Sequence, residues 1–236
     1  MKKTTLVAPY DEPLARAVAV EARVLDRSVA ALLPGFGEPR EARKGRRGEP
    51  AEAGDPGADL HGPAPGETPI PWNPPSFVSA RSAVLDASVR FGSVDEAVLV
   101  VSPGPAPDLT AKPAELERIL QDRVFSVLWL AREILTHFSA RGSAVGPGRL
   151  ILVLADRGLP PRDPVGAAAF GAVSSFAAAL AESAPDAPYD VWAVQDSCPQ
   201  DDLAAQYIRR ILEAPPERRP GRALRFTGKS TLFNRP

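Results

Sequence analysis

Short apolar runs alternate with longer stretches in which apolar residues return every three or four positions, from the start of the chain almost to its end. The runs TTLVAP, SVAALLP, EAVLVVS, GRLILVLAD, YDVWAVQ and RALRFTG have the length and the aliphatic content of strands. EAVLVVS and GRLILVLAD are apolar nearly throughout, which predicts central strands buried on both faces. Between the runs, LARAVAVEARVL sets Leu14, Val18 and Ala22 on one helical stripe. PPSFVSARSAVLDASVRFG reads as a helix with Pro74 and Pro75 near its start and Gly92 at its stop.

The segment from Lys112 to Gly142 predicts the longest helix, with Leu116, Ile119, Leu120, Val124, Val127 and Leu128 at helical spacing. An alanine-rich helix opens at Asp163-Pro164, and QDDLAAQYIRRILEA is a last helix before the final strand. Six or seven strands alternating with about six helices describe an α/β chain: a three-layer, doubly wound parallel sheet of Rossmann type.

One stretch does not fit the alternation. Ten prolines and eight glycines fall between Pro34 and Pro75, around the mixed charge block EPREARKGRRGEPAEAGD. With no apolar periodicity from about Glu38 to Thr68, residues of about 35–69 are expected to form a disordered insertion in a single domain spanning 1–236. RKGRR lies among several acids, so a solvated loop accounts for it better than a phosphate site does.

Charge and cysteine content narrow the possible partners. Lys+Arg 28 against Asp+Glu 29 gives a formal charge of -1, so no overall field draws the chain to nucleic acid or to an anionic membrane. Trp72, Trp129 and Trp192 do not interleave with a basic stripe. The first residues are too short an apolar stretch for a signal peptide, and no run is read as reaching the roughly 18 apolar residues of a span. Cys198 is the single cysteine and no Cys/His cluster has zinc spacing, so a reduced, cytoplasmic setting without a metal is expected.

Candidate chemistry is sparse. TGKST at Thr227 to Thr231 has Ala223 where a P-loop needs its first glycine, and too little chain follows for the helix. His61 and His137 are not placed as a pair, and Ser174 and Ser175 have no nearby base. Asp11, Asp156 and Asp196 stand at strand ends and would have to converge to hold a cation, whereas acids in solvated loops are common.

The order of segments resembles the short-chain dehydrogenases/reductases nearly end to end. The stretch VSPG, Val101 to Gly104, falls where that family has Asn-Asn-Ala-Gly. The long helix followed by Gly148-Arg149 and an apolar strand is similar to its fourth helix and fifth strand, and the tail GRALRFTGKSTLF resembles its closing strand. The resemblance places the family's Thr-Gly-x-x-x-Gly-x-Gly turn on APYDEPLA, so that Pro9, Pro13 and Ala15 replace the three glycines. Proline fixes φ and removes an N–H that could meet a phosphate, and Asp11 and Glu12 add negative charge beside that place.

The same overlay puts Phe170 and Ser174 at the Tyr and Lys positions, Ala155 or Asp156 near the Ser, and Arg123 near the Asn. The acid after the third strand would fall near Pro71, and the Pro-Gly after the sixth strand near Asp196 and Ser197. What the resemblance then implies is a protein without the family's catalytic set, with no cofactor expected and NAD(P) only if the family turn is bypassed. The expected role is a binding, regulatory or assembly subunit, with a divergent oxidoreductase or other enzyme using non-standard residues in the same pocket as the alternative. Family members often pair through their fourth and fifth helices, so a homodimer, a homotetramer or a hetero-oligomer with an active relative is expected.

Overall fold

In a computed structural model, the structure describes residues 2–35, 66–104, 109–141, 146–156, 164–183, 187–215 and 222–228. Seven parallel strands form one sheet in the order β3-β2-β1-β4-β5-β6-β7. They are β1 Thr4–Ala8, β2 Ser28–Pro34, β3 Glu67–Trp72, β4 Glu96–Val101, β5 Gly148–Ala155, β6 Tyr189–Asp196 and β7 Leu224–Phe226. The helices are α1 Pro13–Val24, α2 Phe77–Phe91, α3 Pro113–Leu120, α4 Ser126–Ala140, α5 Pro164–Glu182 and α6 Asp201–Glu213.

Side chains alternate between two cores because successive strand residues point to opposite faces. Leu6, Leu32, Leu99 and Leu152 meet α2, α4 and α5 on one face, while Val7, Ala31, Val98 and Ile151 meet α1 and α6 on the other. Every residue of β4 and of β5 is buried, as their nearly continuous apolar runs predict. Each such Leu, Ile or Val contributes about 1.5–3 kcal/mol of transfer free energy, so this double burial is what holds the centre of the sheet.

Three sequence expectations need correction. The insertion was expected to reach about residue 69, but β3 already begins at Glu67, and residues 36–65 lie outside the described residues. Pro69 and Pro71 obscure this strand because proline belongs on sheet edges, which is where β3 stands. The Trp72 carbonyl accepts from Gly35 N–H on the β2 side (2.7 Å), so the alternate residues Pro69 and Pro71 turn outward and leave no N–H for an added strand.

The expected long helix runs unbroken from Pro113 to Ala140, but not with one pitch: α3 and α4 are continuous through an unforeseen π-helical turn at Gln121–Phe125. Finally, α5 is long and apolar enough, by length and composition alone, to cross a membrane; here its Val173 and Ala177 lie in the sheet core.

Candidate functional site: the crevice over β1 and β4

From β1 the chain winds outward through β2 to β3 and then crosses back to place β4 on the other side of β1, and such a switch point opens a crevice beyond the carboxyl ends of the strands. Here the crevice measures about 680 Å³. Pro9, Pro34, Trp72, Val100 and Val101 supply its apolar lining. Asp11 and Glu12 stand on one rim, and Arg118, Asp122 and Arg123 on the other.

The turn from β1 into α1 is held by its own side chains. The Ala8–Pro9 peptide bond is cis. Tyr10 is buried: its N–H donates to the Leu32 carbonyl (2.8 Å) and its hydroxyl donates to the Glu67 carboxylate, which Arg23 approaches at 3.7 Å. Glu12 is the N-cap of α1 and Pro13 its first helical residue, so one of the helix's leading N–H groups is missing. The Glu12 carboxylate does not cap the helix. It accepts from Ser102 Oγ at 2.5 Å, tying the start of α1 to the residue that follows β4.

The opposite rim owes its shape to the π turn. Arg118, Asp122, Arg123, Ser126 and Val127 all line the crevice, a recurrence of four to five residues that fits the wider turn better than the 3.6 of an α-helix. Arg123 reaches back over the post-β4 loop and donates to the Pro103 and Gly104 carbonyls, the latter at 3.2 Å. Gly104 has φ 52°, and a Cβ there would lie 3.0 Å from Arg123 Nη2, so glycine serves both the backbone angle and the close guanidinium. Glu12 and Arg123 thus bind the stretch Ser102–Gly104 from opposite walls.

Of the positions singled out for chemistry in the sequence, Pro9, Asp11, Glu12 and Arg123 line this crevice; Phe170, Ser174, Ala155 and Asp156 do not. Phe170 is half-buried on α5 and packs against the core, with Ser174 one turn further on. Ala155 is the buried last residue of β5, and Asp156 follows it half-buried, its N–H donating to the Leu154 carbonyl (3.0 Å). Ala15 is buried on α1. Asp196 is buried at the end of β6 and accepts from Cys198 N–H (3.0 Å). Among the described residues no three His, Cys, Asp or Glu side chains gather as metal ligands, so Asp11, Asp156 and Asp196 are not brought together.

Sequence reasoning missed Ser102, Arg118 and Asp122 as wall residues. Nothing in a linear pattern pairs Glu12 with a serine 90 positions away.

No protein-family model and no curated protein matches the chain. Solved structures do. A short-chain dehydrogenase from Mycobacterium smegmatis superposes with a TM-score of 0.68 at 16% identity, over 95% of this chain and 91% of that one. A dehydrogenase/reductase from Sinorhizobium meliloti gives 0.68 at 15%, over 96% and 94%. The 3-ketoacyl-(acyl-carrier-protein) reductase from Brucella melitensis, solved in complex with NADH, gives 0.69 at 18%, over 96% and 97%. The chain has the short-chain dehydrogenase/reductase fold. Within that fold, the crevice of this chain carries a glutamate-serine bridge and an arginine strap on its two walls.

Proposed function

We propose that this chain is a non-catalytic protein of the short-chain dehydrogenase/reductase fold: a binding, regulatory or assembly subunit. The observation that supports this reading best is the Glu12–Ser102 bridge across the mouth of the β1–α1 turn. A pyrophosphate needs free backbone N–H groups and positive potential at a helix start. Here it would meet Pro13, two carboxylates and a closed bridge. Like charges about 4 Å apart in a surface dielectric of about 20 repel by about 4 kcal/mol, which alone is worth nearly a thousandfold in affinity. Phe170 offers no proton at the position where the resemblance puts the family's tyrosine.

A second reading, a divergent oxidoreductase or another enzyme using other residues, is favoured by the crevice itself, whose 680 Å³ lies within the usual range for small ligands. Calorimetric titration with NAD+, NADH, NADP+ and NADPH separates the two. No heat of binding is expected up to about millimolar cofactor, and saturable binding near micromolar would overturn the first reading in favour of the second.

We further propose that the chain works in the cytoplasm as an oligomer, either of itself or with an active relative, through α4 and α5. Ala167, Ala168, Gly171 and Ala172 form an exposed small-residue face on α5, next to a groove of about 510 Å³ lined by Trp129, Leu135, Phe176 and Leu180. A Cβ on Gly171 meets nothing within 4 Å, so Gly171→Arg leaves the monomer fold unstrained while placing a charge on that face. Light scattering should show twice the 25.0 kDa chain mass for the natural protein and the single chain mass for the variant. A monomeric natural protein that also fails to pair with a co-expressed relative would sink the proposal.

A further inference from the structure

The lower end of α4 is fastened to a junction of three strands. Asp95, just before β4, exchanges backbone bonds with Thr4 (2.9 Å) and Arg149 (3.1 Å), and its carboxylate accepts from Thr4 N–H at 2.8 Å. Onto this junction α4 and its C-cap residue send two side chains. Arg141 donates to the Val94 carbonyl and to Asp95 Oδ1 (2.6 Å), and His137 Nε2 accepts from Val94 N–H at 3.2 Å. That bond exists only while Nε2 carries no proton.

We propose that His137 is an acid-sensitive latch that seats the C-terminal turn of α4 on the β1–β4–β5 junction. Protonation does two things at once: it removes the acceptor for Val94 N–H, and it sets a second cation beside Arg141. Because the other end of α4 continues into the π turn that walls the crevice, the latch also sets how firmly that wall is held. This inference is independent of the non-catalytic reading.

The surroundings support the direction. Burial, then the Arg141 charge, hold the imidazole below its ordinary range, with Asp95 and a backbone hydrogen bond at Val94 opposing. The two lowering causes outweigh them, and the latch itself rests on the Val94 N–H donating to Nε2. The other charged groups on neighbouring elements are engaged elsewhere. Arg90 of α2 pairs with Asp86 (2.8 Å), Glu133 pairs with Arg132, and Arg149 of β5 bonds α6 on the far face of the sheet. A folded value below the unfolded one means that the released turn takes up the proton first. The latch therefore contributes fully above the ordinary imidazole range, and its contribution is lost as pH falls through that range toward the folded value.

Hydrogen exchange of the full chain, corrected for intrinsic rates, tests this between about pH 7.5 and about pH 5.5, the span in which histidine changes charge. In the natural protein, protection of the Val94 amide should stay level above the ordinary imidazole range and fall below it, by at most about tenfold per pH unit. It should stay level in His137→Gln, whose amide oxygen keeps an acceptor that does not titrate. An equal fall in both proteins overturns the latch. Should His137→Gln not fold, nitrogen-15 spectra of the natural protein decide instead. An Nε2 without a proton at neutral pH and a depressed titration uphold the latch; an Nε2–H or an ordinary titration refutes it.

Discussion

Arg149→Met should lower the stability of the fold by about 3–5 kcal/mol, the usual result of removing one partner from a buried ion pair. Arg149 is 6% exposed at the second position of β5. Its guanidinium donates to the carbonyls of Ile211 (2.6 Å), Leu212 (3.1 Å) and Ala214 (2.8 Å), lies 3.5 Å from the Asp190 carboxylate, and sits 5.9 Å from the Trp192 ring centre. The last carbonyls of a helix have no partner within it, and a cation at that end also suits the helix dipole. One side chain therefore finishes α6 and balances Asp190, which is itself buried. Methionine fills similar volume and does neither.

At about 2–4 °C per kcal/mol for a chain of this size, the midpoint of thermal unfolding should drop by about 6–20 °C. Arg149→Lys should recover little, since one ammonium cannot reach three carbonyls and a carboxylate in a fixed fork. Arg149→Met combined with Asp190→Asn should recover part of the loss, because the charge that Arg149 balances is removed with it. A drop below about 1 kcal/mol in urea unfolding would place the clamp among ordinary surface contacts.

How much of this was legible in the sequence depends on how far each signal reaches. EAVLVVS and GRLILVLAD announce central strands because burial on both faces leaves apolar residues at every strand position but the first one or two, where Glu96 and Arg149 stand buried and paired. Gly92 ends α2 with φ 82°, as a glycine just past a helix does. β3 was hidden because Pro69 and Pro71 are strand breakers everywhere except on an edge, and edge position is a property of the whole sheet. The π turn was hidden for a related reason: Leu116 to Leu128 keeps a helical spacing that tolerates one extra residue without losing its apolar stripe.

The site was the least legible part. Pro9 and Pro13 show that glycines are missing from the β1–α1 turn, but not what replaces them. The replacement consists of long-range pairs, Glu12 with Ser102, Tyr10 with Glu67 and Arg123 with Pro103, each formed by residues that a linear pattern treats as unrelated. The pair Gly148-Arg149, quoted above only as a likeness, turns out to hold two packing devices side by side: the clamp on α6 and a contact with α4.

That second contact carries the other large effect. A Cβ built on Gly148 would fall 2.2 Å from Phe138 Cγ and 2.4 and 2.5 Å from the two neighbouring ring carbons. Carbon atoms need about 3.5–4.0 Å, so in Gly148→Ala either the ring or the strand must move by more than 1 Å. Neither is free to do so. Phe138 is 2% exposed within the core, and Gly148 is already paired with Tyr189 of β6.

Overpacking costs about 1–3 kcal/mol where side chains can adjust, and losing a phenylalanine ring from a core costs about 3–5. Gly148→Ala should fall between these, near 3 kcal/mol. The test is a double-mutant cycle. Phe138→Leu alone leaves a cavity and destabilises, yet with Gly148→Ala the smaller side chain makes room for the new methyl, so the double variant should be more stable than the sum of the singles predicts. Strict additivity would mean that strand and ring do not meet. Phe138 also neighbours His137, so pushing the ring aside should draw His137 off the Val94 amide. Exchange at that amide should then quicken in Gly148→Ala even at neutral pH, without the acid that the natural protein requires.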